Sequence, residues 1–298
     1  FIGPLSSEAA AHGQGLRPRG PRWDVDYGSL WKVLRKLLRP DVVYVTVSAH
    51  DFGIGAGLFD QDEFPNILVL SGGGYGHVPL PLLKQDFSAF TSSATPPSLN
   101  PAENRTRPLL VVFLGSFANN PRRKVWLKAF STALRRRALP PVKLIGGSRS
   151  HADWQDAGRQ ANFCLCPRGR GRSAFALVEA IQLGCLPIYI YDDEEWLPYR
   201  GSAAADWTRF GLISQPVNTN EIDALAEKVA RLARDEGALE RRRRRMMHLV
   251  SSHFSHPGLV LQLTSFLAGA GNSSLRCRPR PAKASSYGRP IMQIVGKK

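Results

Sequence analysis

The chain has 298 residues, 43% of them hydrophobic, enough for about two buried cores at the roughly 150 residues typical of a domain. Forty Lys and Arg against 24 Asp and Glu give a formal charge of +16, which favours polyanionic partners: nucleic acid, acidic glycans, sugar nucleotides or anionic lipid. Four cysteines are too few for a disulfide scaffold and lack the paired CxxC spacing of a zinc site, and no apolar stretch approaches the roughly 18 residues that span a bilayer.

Residues 1–22 are rich in Gly, Pro, Ala and Ser without an apolar period and read as a disordered segment. "YGSLWKVLRKLL" places Leu30, Val33, Leu34, Leu37 and Leu38 at helical spacing, and Pro40 stops that helix before the strand-like "VVYVTVS". A second apolar run, "NILVLS", ends in "GGGYGH", as the first runs into "AHDFGIGAG"; two strands finishing in glycine-rich loops predict an α/β layer spanning 23–98. That stretch is short for a complete nucleotide-binding fold. The Ser-, Pro- and Asn-rich residues 99–107 read as a linker. A second α/β domain follows over 108–267: a strand at 109–114, a helix starting near Pro121, a strand in "VKLIGG", a strand–loop–helix–strand unit beginning "FCLCP", and helix over 220–250. Residues 268–298 return to Gly, Ser, Pro and basic residues and read as a flexible basic tail.

The unit "NFCLCPRGRGRSAFALVEAIQLGCLPIYIYDDEEWLPY" has the dimensions of a parallel βαβ crossover. Its loop "RGRGRS" then lies at the carboxyl end of a strand and the amino end of a helix, where free N–H groups and the helix dipole favour an anion. Gly169 and Gly171 permit close backbone approach, and Arg168, Arg170 and Arg172 add guanidinium forks suited to phosphate; a solvated basic loop is the plainer alternative. The helix is apolar nearly all round except Glu179 and Gln182, on one face. A buried carboxylate needs a partner: a ribose diol, a sugar hydroxyl or a neighbouring arginine. Cys164 and Cys166, two apart in a strand, read as small core residues, with a bridge from either to Cys185 left open.

In order, "FCLCPRG", the helical "EA", "GC" with its following Pro, the acidic turn, "LPY" and "DW" resemble the signature of the exostosin-like glycosyltransferases, family 47. "VFLGS" with Arg122 and Arg123 downstream, and "VTVSAHDFG", are similar to two further family segments, so the likeness runs from about residue 40 to 255. The resemblance implies a GT-B-type fold, two Rossmann-like domains facing a cleft with the N-terminal one incomplete here. It also implies inverting transfer of a sugar from a nucleotide diphosphate, UDP being the expected carrier, to a glycan or glycoprotein acceptor. On that likeness Arg122 or Arg123, Arg168 and Arg172 serve the diphosphate, Ser173 donates to it, Glu179 holds ribose or sugar, and Asp193 or Glu194 shapes the cleft. Asp51, supported by His50, is the base that takes the acceptor proton. No metal or other cofactor is expected, because arginines and a helix terminus can stabilise the leaving diphosphate. Ala176 stands where the family often has an arginine. The family also implies the Golgi lumen, with a membrane anchor upstream of this sequence.

Two other classes compete: an inactive relative that binds glycan or protein, and a basic nucleic-acid-binding protein. The run "ERRRRRMMH" lacks interleaved aromatics for base stacking and reads as a solvated helix face, so nucleic acid is not expected. His77 could line the cleft or be structural, and Asn104 and Asn272 begin triplets of the N-glycosylation pattern.

Overall fold

A computed structural model describes residues 27–51, 64–84, 107–145, 151–269 and 271–278. The expected disordered segment 1–22, the glycines of "DFGIGAG", the linker up to residue 106 and Asn104 lie outside the described residues, while Arg107 at the linker's end donates to the Gly158, Ala161 and Leu183 carbonyls. Contacts divide the chain between Leu38 and Arg39. The first unit contains helix α1 (Tyr27–Leu37), where the apolar period predicts it, with Arg35 and Lys36 in its last turn beside the negative end of the helix dipole.

The second unit holds two parallel sheets. In the smaller, β1 (Tyr44–Ser48), β2 (Ile67–Ser71) and β3 (Val78–Pro79) lie in that order, and β1 pairs with β2 in register Tyr44 to Ile67. The larger contains β4 (Leu109–Leu114), β5 (Lys143–Ile145), β6 (Ala161–Pro167), β7 (Leu186–Ile190) and β8 (Leu212–Ser214), ordered β5-β4-β6-β7-β8. This is a doubly wound order, and its connections reverse direction between β4 and β6. Strands buried on both faces explain the unbroken apolar runs at β4, β6 and β7.

Helix α2 (Arg122–Arg136) connects β4 to β5, α3 (His151–Gln160) connects β5 to β6, and α4 (Phe175–Gln182) connects β6 to β7. Helix α3 has no clear apolar period and is not foreseen from sequence. Helix α4 has eight residues rather than some eleven, because Ala174 is extended and Leu183 closes its end. The expected helix over 220–250 is two, α5 (Thr219–Ala233) and α6 (Glu236–His253): Asp235 accepts from the Ala238 N–H at 2.7 Å and so caps a fresh start. Helix α7 (His256–Leu267) follows, opened by Ser255 in the same way at 3.1 Å.

Two expectations need correction. Cys164 is bonded to Cys185, closing the β6–α4–β7 unit covalently, and only Cys166 is a free buried thiol. The tail does not loosen at 268: residues 271–278 are docked, with Leu275 buried, Ser274 Oγ 2.9 Å from His253 Nε2, and the Ser274 N–H 2.6 Å from Gln262 Oε1. The basic run is also less solvated than its composition suggests. Arg242 donates to the Thr208 carbonyl at 3.0 Å, and Arg243 to the Gly184 carbonyl at 3.2 Å and Asn162 Oδ1 at 3.1 Å.

Candidate donor site at the strand ends

All strands of both sheets run parallel to their neighbours, so the loops after β1, β2, β6 and β7 leave from carboxyl ends, where open α/β sheets bind ligands. The first three loops interlock. The Gly72 N–H donates to the Ser48 carbonyl at 2.8 Å and the Arg172 N–H to the Gly73 carbonyl at 2.8 Å. A Cβ on Gly73 would stand 1.8 Å from the His50 oxygen, and one on Gly171 would stand 2.4 Å from the Gly73 oxygen and 3.1 Å from Asp51 Oδ1. Only glycine permits this approach. It carries Asp51 from the end of β1 to the arginine loop of the other sheet.

Arg123 occupies the point where the sheet connections reverse. Buried on α2, it donates from Nη1 to the Ser116 carbonyl after β4 (2.6 Å), and from Nη2 and Nε to the Pro167 and Arg168 carbonyls at the end of β6 (2.8 and 2.9 Å). Burial pushes its pKa down to about 10, so the guanidinium stays charged at neutral pH.

Arg168 and Arg172 face the acidic turn after β7. Arg168 donates from Nη1 to Asp192 (2.9 Å) and Asp193 (2.5 Å), and also to the Gly171 and Arg170 carbonyls. Arg172 donates from Nε to Asp193 (2.9 Å) and from Nη1 to the Gly74 carbonyl (2.9 Å), lies 3.3 Å from Glu194, and covers the Tyr75 ring at 4.6 Å. Burial alone would raise the Asp193 pKa. Arg168, the Glu194 N–H and Arg172 outweigh it and hold that carboxyl below the usual range. Tyr189 donates from its hydroxyl to the Arg172 carbonyl at 2.6 Å, and Trp196 Nε1 donates to the Ser71 carbonyl at 3.0 Å. The docked segment 271–278 reaches the same turn: Arg278 lies over the Trp196 ring, pairs with Glu194, and donates its N–H to the His77 carbonyl at 2.8 Å.

These contacts change the reading of several residues. The guanidinium groups of Arg123, Arg168 and Arg172 donate to carbonyls and carboxylates of the chain, so they shape the loop. Arg122, with 42% of its side chain exposed and 3.3 Å from Asp192, and the exposed Arg170 remain turned toward solvent. Ser173 is buried just before Ala174, the extended N-cap of α4, which has no side-chain oxygen to satisfy the first amides of that helix. His50 is exposed. His77 is structural: its Nδ1 accepts the Val69 N–H at 3.0 Å, and burial lowers its pKa. Glu179, 3% exposed, forms an ion pair with Lys84 rather than with an arginine. Lys84 arrives from the chain after β3 and had no signal in the sequence. Among the described residues no three His, Cys, Asp or Glu side chains are grouped to hold a metal.

The family model of the Exostosin GT47 domain matches residues 46–229, which contain the arginine loop, α4, the acidic turn and Asp51. The chain belongs to the exostosin GT47 family. The disulfide-closed crossover that carried most of the resemblance and "VFLGS" with its downstream arginines fall inside the matched GT47 region, as does "VTVSAHDFG" from Thr46 onward. Among solved structures this GT47 chain is similar to Staphylococcus aureus TarM crystallised with fondaparinux, alpha-GlcNAc-glycerol and UDP, at 9% identity and TM-score 0.42, over 81% of the chain and 58% of that structure. It is also similar to the pneumococcal O-GlcNAc transferase GtfA with UDP and GlcNAc, at 12% identity and TM-score 0.43, over 82% of the chain and 60% of that structure. A Candida albicans trehalose-6-phosphate phosphatase N-terminal domain gives 7% identity and TM-score 0.46, over 82% of the chain and 74% of that domain. The chain thus spans less than two thirds of the length of TarM and GtfA.

Proposed function

We propose that the chain is the catalytic part of an inverting glycosyltransferase of GT-B type that moves a sugar from a nucleoside diphosphate, UDP being the expected carrier, to a glycan or glycoprotein acceptor. The observation that carries this reading is the arginine loop: glycine-bearing, at the reversal point of a doubly wound sheet, and leading into a helix whose first amides have no side-chain cap. In this reading the diphosphate lies on those amides beside Arg122 and Arg170, and Arg123, Arg168 and Arg172 hold the loop in shape around it. Asp193 acts through the two loop arginines, and Glu179 accepts from the ribose or sugar hydroxyls. Asp51 takes the proton as the acceptor oxygen bonds to the anomeric carbon, and the carbon–phosphate-oxygen bond breaks with its electron pair leaving on the nucleoside diphosphate. His50, exposed beside it, would bind acceptor.

The Cys164–Cys185 bond and the exposed Asn272 of an Asn-Ser-Ser triplet support a secretory lumen, the Golgi in this family, as the working compartment. An inactive relative is the second reading, favoured by Ala176 and by the self-paired Arg168, Arg172 and Glu179. Thermal titration with UDP and GDP tests binding, with Glu179→Gln expected to abolish the shift. Donor hydrolysis in Asp51→Asn tests chemistry. A sharp fall with the nucleotide shift retained supports the enzyme, and binding without any turnover in the wild type supports the inactive relative.

A further inference from the structure

Around Lys84 the chain assembles a set of groups that no contact within the protein fully satisfies. Glu179 and Phe175 lie four residues apart on α4, hence on one face. Trp154 comes from α3. The Lys84 ammonium lies 5.6 Å from the centroid of the Trp154 ring and 5.7 Å from that of Phe175, while pairing with Glu179. Three ligand-type features therefore surround one lysine tip: two aromatic faces, a carboxylate and, on Trp154, an N–H donor.

One of these is left over. Trp154 Nε1 is buried and has no hydrogen-bond partner. Glu179 Oε1 is buried too, and the partner it has is the Lys84 ammonium. Native proteins rarely leave a buried donor bare, and a bare donor near an exposed ring and a buried carboxylate suits a ligand that offers an acceptor to the first and hydroxyl donors to the last. Phe175, a large ring at the first position of α4, is 39% exposed, which suits a platform for a planar group better than a core role.

We propose that Trp154, Phe175 and Glu179 form the nucleoside end of the donor site, where Lys84 competes with the nucleotide for Glu179. The ring faces carry the base, the Trp154 N–H donates to a base carbonyl oxygen, and the ribose diol replaces the ammonium as donor to Glu179. Uracil and guanine offer such a carbonyl and adenine does not, so the Trp154 N–H is the group that selects among nucleotides, while Glu179 holds the ribose that they share. This rests on the donor-site reading above and adds the residues that distinguish one nucleotide from another. Nothing in the sequence motif contains Trp154 or Lys84. Trp154 and Glu179 share the Lys84 ammonium only because α3, α4 and the chain after β3 come together around it.

The test measures dissociation constants for UDP, ADP and inorganic pyrophosphate by calorimetry, the last probing the arginine loop alone. The wild type is expected to bind UDP more tightly than pyrophosphate and than ADP. Trp154→Phe, which keeps the ring and removes the N–H, is expected to weaken UDP about tenfold with pyrophosphate unchanged. Phe175→Ala, at a half-exposed position the fold tolerates, is expected to weaken UDP and ADP but not pyrophosphate. Lys84→Met is expected to tighten UDP several-fold, since the carboxylate no longer has an internal competitor. Equal binding of UDP and pyrophosphate by the wild type overturns the inference and leaves the anion loop standing, as does a Trp154→Phe variant that binds UDP normally or loses both ligands together. A Lys84→Met variant with unchanged or weaker UDP binding removes Lys84 from the role. A wild type that binds none of the three overturns the donor-site reading itself.

Discussion

The two parallel sheets of the larger unit are built to different standards. In the five-stranded sheet β4, β6 and β7 are buried along nearly their whole length, and a disulfide ties β6 to the start of β7. In the three-stranded sheet β2 is buried, yet β1 alternates, with Val45 and Val47 exposed at 47% and 62% and Val43 just before it at 75%. Parallel strands are ordinarily covered on both faces, so the smaller sheet presents an apolar face among the described residues where the larger presents none of comparable kind. The lesson is one of division of labour. The rigid sheet positions the arginine loop and the carboxylate of α4. The smaller sheet delivers Asp51, the interlocking glycines and Lys84 on loops held against that frame.

That contrast can be broken at its strongest point first. Arg123→Met leaves three carbonyl oxygens, two of them buried, without their donor, and a loss of about 3–5 kcal/mol in urea denaturation is expected; a loss below about 1 kcal/mol would show that the reversal point is not held by this guanidinium. Next comes the disulfide. Cys164 and Cys185 are 21 residues apart, and replacing both by Ala is expected to remove about 3 kcal/mol on a chain-entropy basis while leaving the three-stranded sheet's contacts alone.

A smaller effect follows from the acidic turn. The folded pKa of Asp193 lies below its unfolded value near 3.9, so its contribution is present above about pH 4 and is lost as pH falls through the folded value. The stability gap between wild type and Asp193→Asn, measured from pH 7 to pH 3, is therefore expected to shrink below pH 4. A gap that widened there would contradict the pairing with Arg168 and Arg172. The smallest effect belongs to the open face: Val47→Thr is expected to change stability by less than about 0.5 kcal/mol, and a larger loss would mean that this face is covered in solution.

Most strands were legible because each is a short, nearly continuous apolar run ended by glycine, proline or charge; the observed β2, β4 and β7 lie inside the runs read from sequence, and β6 begins two residues before "FCLCP". Helix α3 was not, since "HADWQDAGRQ" has only Ala152, Trp154 and Ala157 as apolar side chains and depends on its place between β5 and β6. In the site, the arginine loop stood out through its glycines and Glu179 through its isolation in an apolar helix. What the arginines do was not legible. A guanidinium suited to phosphate is equally suited to carbonyls and carboxylates, and Asp192, Asp193 and Glu194 reach Arg168 and Arg172 across more than 20 positions of chain.

By itself the sequence determined the α/β character, the parallel crossover, the position of the arginine loop and the family, because each is written in local periodicity or in ordered spacing along one stretch. Only the tertiary structure decided which cysteine pairs with Cys185, that Glu179 meets Lys84, that Trp154 keeps an unpartnered N–H beside them, and that residues 271–278 fasten onto the acidic turn. Those outcomes are meetings between groups far apart in the chain, and side-chain chemistry names a partner's type without naming the partner.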